Sequence, residues 1–474
     1  MTLASSALRQ ANPASRPWEA LGPAWVEVDL DVLATNLVEI VRFVRRPPDA
    51  AVLRRLELLG LRPPDGPPRV LVVVKADGYG HGAVQVARTA AAGGADMLGV
   101  STLLEAVELR RAGLDLPILM FNPLTPAEAP AAVEHGLTVT VTGLLAAEAL
   151  SREADKSGRA PVPVHVCVDT GLARFGVHPD AAPALAAAVA ALPGLELEGV
   201  YTHFSAGSGK GPAAVALMRE QFGRFARVLA AVEARGLRVP LRHASASAAV
   251  LRVPESYLDL VRVGNLLYGF GADGDPGTPR VREAWAMYAR VIEAREVPAG
   301  TGVGYGPDVV VRRPTRLVTV PLGYADGVGA EVRQAAFRPR TYLNLLARNL
   351  IVRLARRGLL RGPLARFAHR RGQSAIFSHD GHPLDILGRI AMHDTILDAT
   401  GWPEVGTGSL VRVNVRRVLA NPRLPRVYRR RGRVVLACPA LPEGEAALLP
   451  AAAPVAERAV PDAEPAVPPA VAGG

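Results

Sequence analysis

Short apolar runs recur through the first half of the chain at intervals that leave room for one helix between neighbours. They fall at 70–75, 96–100, 117–121, 137–141, 163–168, 197–203, 241–245 and 258–262. The stretches 83–93, 103–112, 126–135, 143–156, 181–191 and 213–235, which separate most of them, are rich in Ala, Leu and Glu. A continuous apolar run of this length reads as a strand buried on both faces, and alternation with helices marks parallel βαβ units. Eight such units predict an α/β fold with a closed (β/α)8 TIM-type barrel, although an open doubly wound sheet carries the same local pattern. A barrel places its chemistry at the carboxyl ends of the strands.

Ahead of the barrel, residues 25–30 alternate like a strand, and Asp31 is expected to cap a helix bearing Leu33, Leu37, Ile40 and Phe43. Residues 46–68 are rich in Pro and Arg and hold a possible short helix at 51–60. After about residue 280 the pattern changes to short strands with Gly/Pro turns: Val297-Pro298-Ala299-Gly300, Val303-Gly304-Tyr305-Gly306, Leu317-Val318-Thr319-Val320-Pro321 and Val411-Arg412-Val413-Asn414-Val415. That pattern predicts a mainly-β domain. The expected organisation is a loose tail at 1–22, a barrel domain at 23–278, a β domain at 279–433 and an Ala/Pro-rich disordered tail at 434–474. An Arg- and Leu-rich insertion interrupts the β domain at 331–375. Its apolar stripe of Leu346, Leu350, Ile351 and Leu354, edged by Arg353 and Arg357, reads as a surface helix.

Composition narrows the class. A chain of 474 residues that is 49% hydrophobic can bury two substantial domains. Its two cysteines, Cys167 and Cys438, are far apart, which argues against a disulfide framework and a zinc site and fits a reducing compartment. No apolar run is long enough to span a membrane, and the first 22 residues lack the pattern of a secretory signal, so a cytoplasmic protein is expected. The net charge of +11 and pI near 10.2 come largely from the Arg-rich stretches at 333–371 and 412–433. No zinc-finger spacing or aromatic RNP-like motif accompanies them, so no nucleic-acid partner is expected. Salt-sensitive binding through 331–375 would mark the opposite case.

Arginine carries nearly all the positive charge: Lys75, Lys156 and Lys210 are the only lysines. Lys75 ends the first barrel strand, in Val74-Lys75-Ala76-Asp77-Gly78-Tyr79-Gly80-His81-Gly82. An arginine cannot readily lose its proton and attack a carbonyl; a lysine whose pKa burial lowers can. Other polar motifs stand at later strand ends: Asp169-Thr170-Gly171-Leu172-Ala173-Arg174, Thr202-His203-Phe204, Ser245-Ala246-Ser247 and Val261-Arg262-Val263-Gly264-Asn265.

Together with Val303-Gly304-Tyr305-Gly306 and Gly323-Tyr324-Ala325-Asp326-Gly327, these motifs resemble those of the alanine racemase family. Its members bind pyridoxal phosphate on a (β/α)8 barrel followed by a β domain. The resemblance covers roughly residues 24–330 and 384–418. It implies that Lys75 holds the cofactor's aldehyde and that Ser247, Gly264, Asn265, Tyr79 and Tyr324 reach its phosphate. It implies that Arg262 faces the pyridine nitrogen, where a permanently protonated side chain keeps the ring a weak electron sink. His203 is expected to hydrogen-bond Arg262 or the second base. Racemisation needs acid/base groups on two faces of the substrate, here Lys75 and Tyr305, the latter activated by the His203–Arg262 pair. In the family that tyrosine comes from a second subunit, so a homodimer is implied.

The resemblance assigns Arg174 to the substrate carboxylate and Met392 to the substrate entrance. Three departures fall near these residues. Cys167 stands where the family has a lysine, often carbamylated, that steadies the arginine. Met392-His393 replaces Met-Asp, with Asp394 displaced by one, and Ala246 replaces an asparagine. The expected activity is interconversion of L- and D-alanine. The alternatives are a racemase of another or broader amino-acid range and a non-catalytic pyridoxal-phosphate-binding protein. No metal is expected.

Overall fold

The computed structural model describes residues 22–158, 161–207, 211–271, 277–306, 309–330 and 376–438. The expected insertion at 331–375, and the tails apart from their innermost residues, lie outside these.

The first strand, β1 (Ala24–Asp29), leads directly into the helix Leu30–Val44. Asp29, not Asp31, caps this helix: its Oδ1 accepts from the amides of Asp31 and Val32, both at 3.0 Å. Asp31 lies inside the first turn, where an acidic side chain suits the helix dipole. Asp49 likewise caps the helix Ala50–Leu58, within the Pro/Arg-rich stretch.

Eight parallel strands follow: β2 (Arg69–Val73), β3 (Met97–Val100), β4 (Ile118–Pro123), β5 (Thr138–Val141), β6 (Val162–Val168), β7 (Leu195–Thr202), β8 (Leu241–His243) and β9 (Leu260–Val263). Each falls on one of the apolar runs. β9 pairs with β2 in the register Leu71↔Arg262 and Val72↔Val263. The seam between β8 and β9 is closed by a parallel bridge, Ala246↔Arg262, and by the bond from Arg262 N to Ser245 O at 2.9 Å. The sheet is therefore a closed barrel.

Inside the barrel the side chains divide into two halves. Leu71, Val73, Met97, Leu119 and Leu260 form a separate apolar cluster with Phe121 and Tyr79 packed on it. β5 to β9 contribute a set of buried polar side chains as well: Thr140, His165, Cys167, Tyr201, His243 and Arg262. Gly199 makes room for this half, since a Cβ there would stand 2.7 Å from three atoms of the His165 ring.

The second sheet runs in the order β11 (Glu293–Val297), β12 (Thr315–Val320), β15 (Thr395–Asp398), β14 (His382–Ile386), β13 (Phe377–His379), β16 (Leu410–Val413), β10 (Trp285–Arg290), β1, β17 (Arg426–Arg430) and β18 (Arg433–Cys438). β1 pairs antiparallel with β10 and parallel with β17, so the strand placed with the barrel by its position belongs to this sheet by its hydrogen bonds. β18 occupies the beginning of the expected C-terminal tail. Val303-Gly304-Tyr305-Gly306 is a turn rather than a strand. Gly304 and Gly306 have φ of +78° and +74°, a left-handed conformation that breaks strand pairing and puts Tyr305 on the outside.

Candidate active site

β2 ends at Val73, and the chain then makes a left-handed turn. Ala76, Asp77, Gly78 and Tyr79 all have φ between +52° and +57°. For a residue with a Cβ this conformation costs about 1–2 kcal/mol, so the turn must be held by its surroundings. Gly78 N donates to Val74 O at 2.8 Å and Gly82 N to Asp77 O at 2.9 Å. Ala76 N donates to Glu105 Oε1 at 2.7 Å. The Tyr79 ring stacks on Tyr268, whose hydroxyl donates to Val73 O at 3.0 Å. Lys75, at the start of the turn, lies with Nζ 6.0 Å from the Phe121 ring centre. Burial, and then the charges of Arg174 and Arg262, lower its pKa, while Glu105 opposes them. An amine so placed is neutral at lower pH than a surface lysine, as nucleophilic attack on an aldehyde requires.

Arg262 projects from β9 into the polar half of the barrel and is 3% exposed. Its Nη2 donates to the carbonyls of Thr202 and Ala244 at 2.7 and 2.9 Å, and its Nη1 to His243 Nδ1 at 2.7 Å. Burial lowers its pKa to about 10, which leaves it protonated at neutral pH. His243 Nε2 lies 2.9 Å from His165 Nδ1, and His165 Nε2 lies 2.9 Å from Glu198 Oε2. The partner of Arg262 is thus His243, not His203, because β8 neighbours β9 whereas His203 follows the end of β7. His203 lines the same cavity, and its pKa is lowered to about 3 by burial and then by Arg262, Arg174 and Lys75. It is neutral at physiological pH and adds no cation; Arg262 and Arg174 carry the charge there.

Ser247 Oγ accepts from the amides of Gly264 and Leu266 at 3.1 and 3.2 Å, which leaves its own proton free to be donated. Asn265 N–H has no partner among the described residues. A Cβ on Gly264 would stand 2.6 Å from the Tyr79 hydroxyl, so only glycine lets this backbone approach the tyrosine. Tyr79's own pKa is raised by burial to about 12, which keeps it a donor. Lys75, Tyr79, Arg174, His203, Ser247, Arg262, Gly264 and Asn265 line one cavity of about 350 Å³. An amine, a buried guanidinium with its Nε left over by these bonds, and a cluster of hydroxyl and amide donors fit the aldehyde, ring nitrogen and phosphate of pyridoxal phosphate.

The remaining expected residues are placed differently. Arg174 is exposed and lies over the Phe175 ring at 4.6 Å. Asp169, close by in sequence, accepts instead from the amides of Gly171, Leu172 and Ala173. Cys167 is buried, and desolvation raises its thiol to about 11. Tyr305, Tyr324 and Met392 are 72%, 54% and 55% exposed, and none lines the cavity of its own chain. Tyr324, expected to reach the phosphate beside Tyr79, instead sits on a turn of the second sheet. Tyr324 N donates to Ala391 O and Ala325 N to Met392 O, both at 3.0 Å, which ties that turn to the loop bearing Met392. His393 Nδ1 lies 3.6 Å from Asp326 Oδ2 in the same assembly.

The closed barrel with a strand-end lysine and this donor set defines a barrel-type pyridoxal-phosphate enzyme. Models of the alanine racemase N-terminal and C-terminal domains match residues 50–271 and 284–342. The alanine racemase of Desulfovibrio desulfuricans is 36% identical over 391 residues, which cover 82% of this chain and 88% of that protein. That of Desulforamulus reducens is 39% identical over 309 residues, 64% of this chain and 77% of its own. Among solved structures, the Bacillus anthracis alanine racemase with bound L-Ala-P superposes with a TM-score of 0.66 at 25% identity, covering 88% of this chain and 97% of that one. The Streptomyces lavendulae alanine racemase gives 0.65 at 28%, covering 86% and 97%. The chain belongs to the alanine racemase family, enzymes that isomerise amino acids with pyridoxal phosphate.

Proposed function

We propose that this chain interconverts L- and D-alanine as a homodimer, with Lys75 and the partner's Tyr305 as the two proton-transferring groups. The convergence of Lys75, Arg262 and Ser247 on one cavity carries the reading. Pyridoxal phosphate, once bound, draws electrons from the substrate's α-carbon and so makes its proton removable. Ser247, Asn265 N–H and Tyr79 hold the phosphate, and Arg262 presents a donor to the ring nitrogen without giving up its proton. Lys75 would hold the aldehyde, and its amine is placed to move a proton at the substrate's α-carbon from one face. Arg174 takes the substrate carboxylate.

Tyr305 acts from the opposite face. Its 72% exposure on its own chain, like the exposure of Tyr324 and Met392, suits a residue that completes the site of a second copy. The neutral His203 can orient it through a hydrogen bond, while Arg262 and Arg174 favour the phenolate. A broader substrate range is the second reading, favoured by the neutral thiol at Cys167 and by the absence of any carboxylate paired with Arg174 among the described residues.

Mixing Lys75→Ala and Tyr305→Phe subunits tests the shared site. Each homodimer should lose about 10²-fold or more in kcat, yet mixed dimers carry one intact site and should recover about a quarter of the parental activity at equal mixing. Full activity of Tyr305→Phe alone would remove Tyr305 from the mechanism. The absence of recovery on mixing would place both groups on one chain.

A further inference from the structure

The left-handed turn after β2 lies against the second sheet, and two side chains of that sheet reach it. Arg426 on β17, 3% exposed, donates from Nη2 to Asp77 Oδ2 at 3.3 Å. Its Nη1 is fixed by the carbonyls of Asn421, Pro422 and Leu424 at 3.1, 3.2 and 2.6 Å. Trp285 on β10 donates from Nε1 to Gly80 O at 3.0 Å. The packing is close: Gly80 abuts the Arg417 carbonyl and Gly82 the Tyr428 hydroxyl, with no room for a Cβ at either. Asp77 meanwhile uses Oδ1 to accept from Ala83 N at 2.9 Å, capping the helix Ala83–Ala92.

The turn contains three residues with side chains, Ala76, Asp77 and Tyr79, in a conformation their own sterics oppose. Left alone it relaxes towards φ below zero, and the direction of the Lys75 side chain at its start changes with it. A carboxylate whose two oxygens bind the helix start and a guanidinium fixed by three carbonyls is a rigid link between barrel and sheet. We propose that Asp77 and Arg426 are positioning residues: by clamping the 76–79 turn from the second sheet they aim the Lys75 amine into the cavity, so that cofactor attachment in the barrel depends on a side chain of the other domain. The proposal rests on Lys75 being the cofactor-holding amine, and strain stored at a functional site is the setting in which such support is needed.

Only three lysines occur in the chain, so amine reactivity can be followed at each by peptide mapping. Competitive labelling of the apoprotein with acetic anhydride across pH compares Lys75 with Lys156, which is exposed and paired with Glu153. In Asp77→Asn and Arg426→Met, Lys75 should move towards the behaviour of Lys156. Pyridoxal phosphate should bind about tenfold or more weakly, the range set by one charge-assisted hydrogen bond. Asp77→Asn keeps an acceptor for Ala83 N and serves if Arg426→Met does not fold.

Adding Ala76→Gly to either variant should restore most of the affinity, since glycine enters the left-handed region without strain. A role confined to folding of the second sheet would not respond to Ala76→Gly, and that result overturns the proposal. So does unchanged Lys75 labelling with parental affinity. Borohydride fixation of the cofactor in the parental holoenzyme tests the underlying assignment separately: a label at Lys156 or Lys210 would remove Lys75 from that role, whatever the apoprotein variants show.

Discussion

Replacing Cys167 by lysine tests the least ordinary feature of the substrate side. Cys167 lies on β6 inside the barrel, 2% exposed, and its thiol is raised to about 11 by burial, against the opposing effects of Tyr201 and the arginines Arg262 and Arg174. It stays neutral across the working pH range and cannot pair electrostatically with Arg174. Arg174 packs against Phe175, and Asp169 is occupied by three backbone amides, so among the described residues no carboxylate is paired with the guanidinium that is proposed to take the substrate carboxylate.

Cys167→Lys in carbon-dioxide-free buffer puts an ammonium beside two arginines and overfills the site. Both effects lower stability, the crowding alone by about 1–3 kcal/mol. In bicarbonate the amine can be carbamylated, which turns the repulsive cation into an anion facing Arg174. A charge-assisted hydrogen bond is worth ~1.5–3 kcal/mol, so the KM for alanine should fall by about tenfold or more relative to the parent, with Tm rising between the two buffers. Coupled detection of D-isomer formation at varied L-alanine gives KM, and a thermal melt gives Tm. A KM unchanged in both buffers would show that Arg174 is already held by another group and that the reasoning from the thiol is wrong.

Gly199→Ala should destabilise the protein by ~1–3 kcal/mol, because its Cβ meets the His165 ring at 2.7 Å; chemical denaturation measures it, and a neutral effect would mean that β7 shifts freely. Stability should also fall with acid in a particular window. His81 and His203 are held at about 3, below the 6.5 of an unfolded histidine, chiefly by burial. Keeping them neutral costs nothing above about pH 6.5, and below it each contributes a loss of about 1.4 kcal/mol per pH unit until its folded pKa is reached. Denaturant midpoints between pH 7 and 4 check the slope, which His81→Asn should flatten.

The barrel was legible because each strand is a continuous apolar run bounded by a helix, a pattern that depends on local sequence alone. β1 was legible as a strand but not as part of the second sheet. Its partners, β10 and β17, lie some 260 and 400 residues later, and alternation says nothing about which edge a strand joins. Lys75, Arg262 and Ser247 could be read from strand ends. His165 and His243 were missed because one lies within a strand, in Val-His-Val-Cys-Val, where a histidine flanked by apolar residues reads as filler. The alternation itself was the available signal: His165 and Cys167 share the face opposite Val164, Val166 and Val168. The left-handed turn at 76–79 is not legible in the sequence, since Ala76, Asp77 and Tyr79 give no hint of positive φ. The resemblance offers His203 either Arg262 or the second base as a partner, and only the neighbouring of β8 and β9 brings His243 to Arg262 Nη1.

The split barrel interior explains how one scaffold can hold both a lowered lysine and a charged, buried arginine. Lys75 stands over the apolar half, Leu71, Val73 and Phe121, where loss of solvent lowers its pKa. Arg262 enters the other half, where the hydrogen-bond directions are forced. A guanidinium can only donate, so His243 Nδ1 must accept and its proton must lie on Nε2. That proton faces His165 Nδ1, which must then accept, and the His165 proton lies on Nε2 towards Glu198. The chain Arg262–His243–His165–Glu198 therefore runs in one direction, from a fixed cation to a carboxylate that is 22% exposed. Either histidine in the opposite tautomer would leave two acceptors or two donors facing each other in a buried site. The arginine is thus held in one orientation by His243 and two backbone carbonyls, and its charge is kept without placing a carboxylate against it. A carboxylate at the position of His243 would compete for the same guanidinium donors and draw its charge away from the cavity.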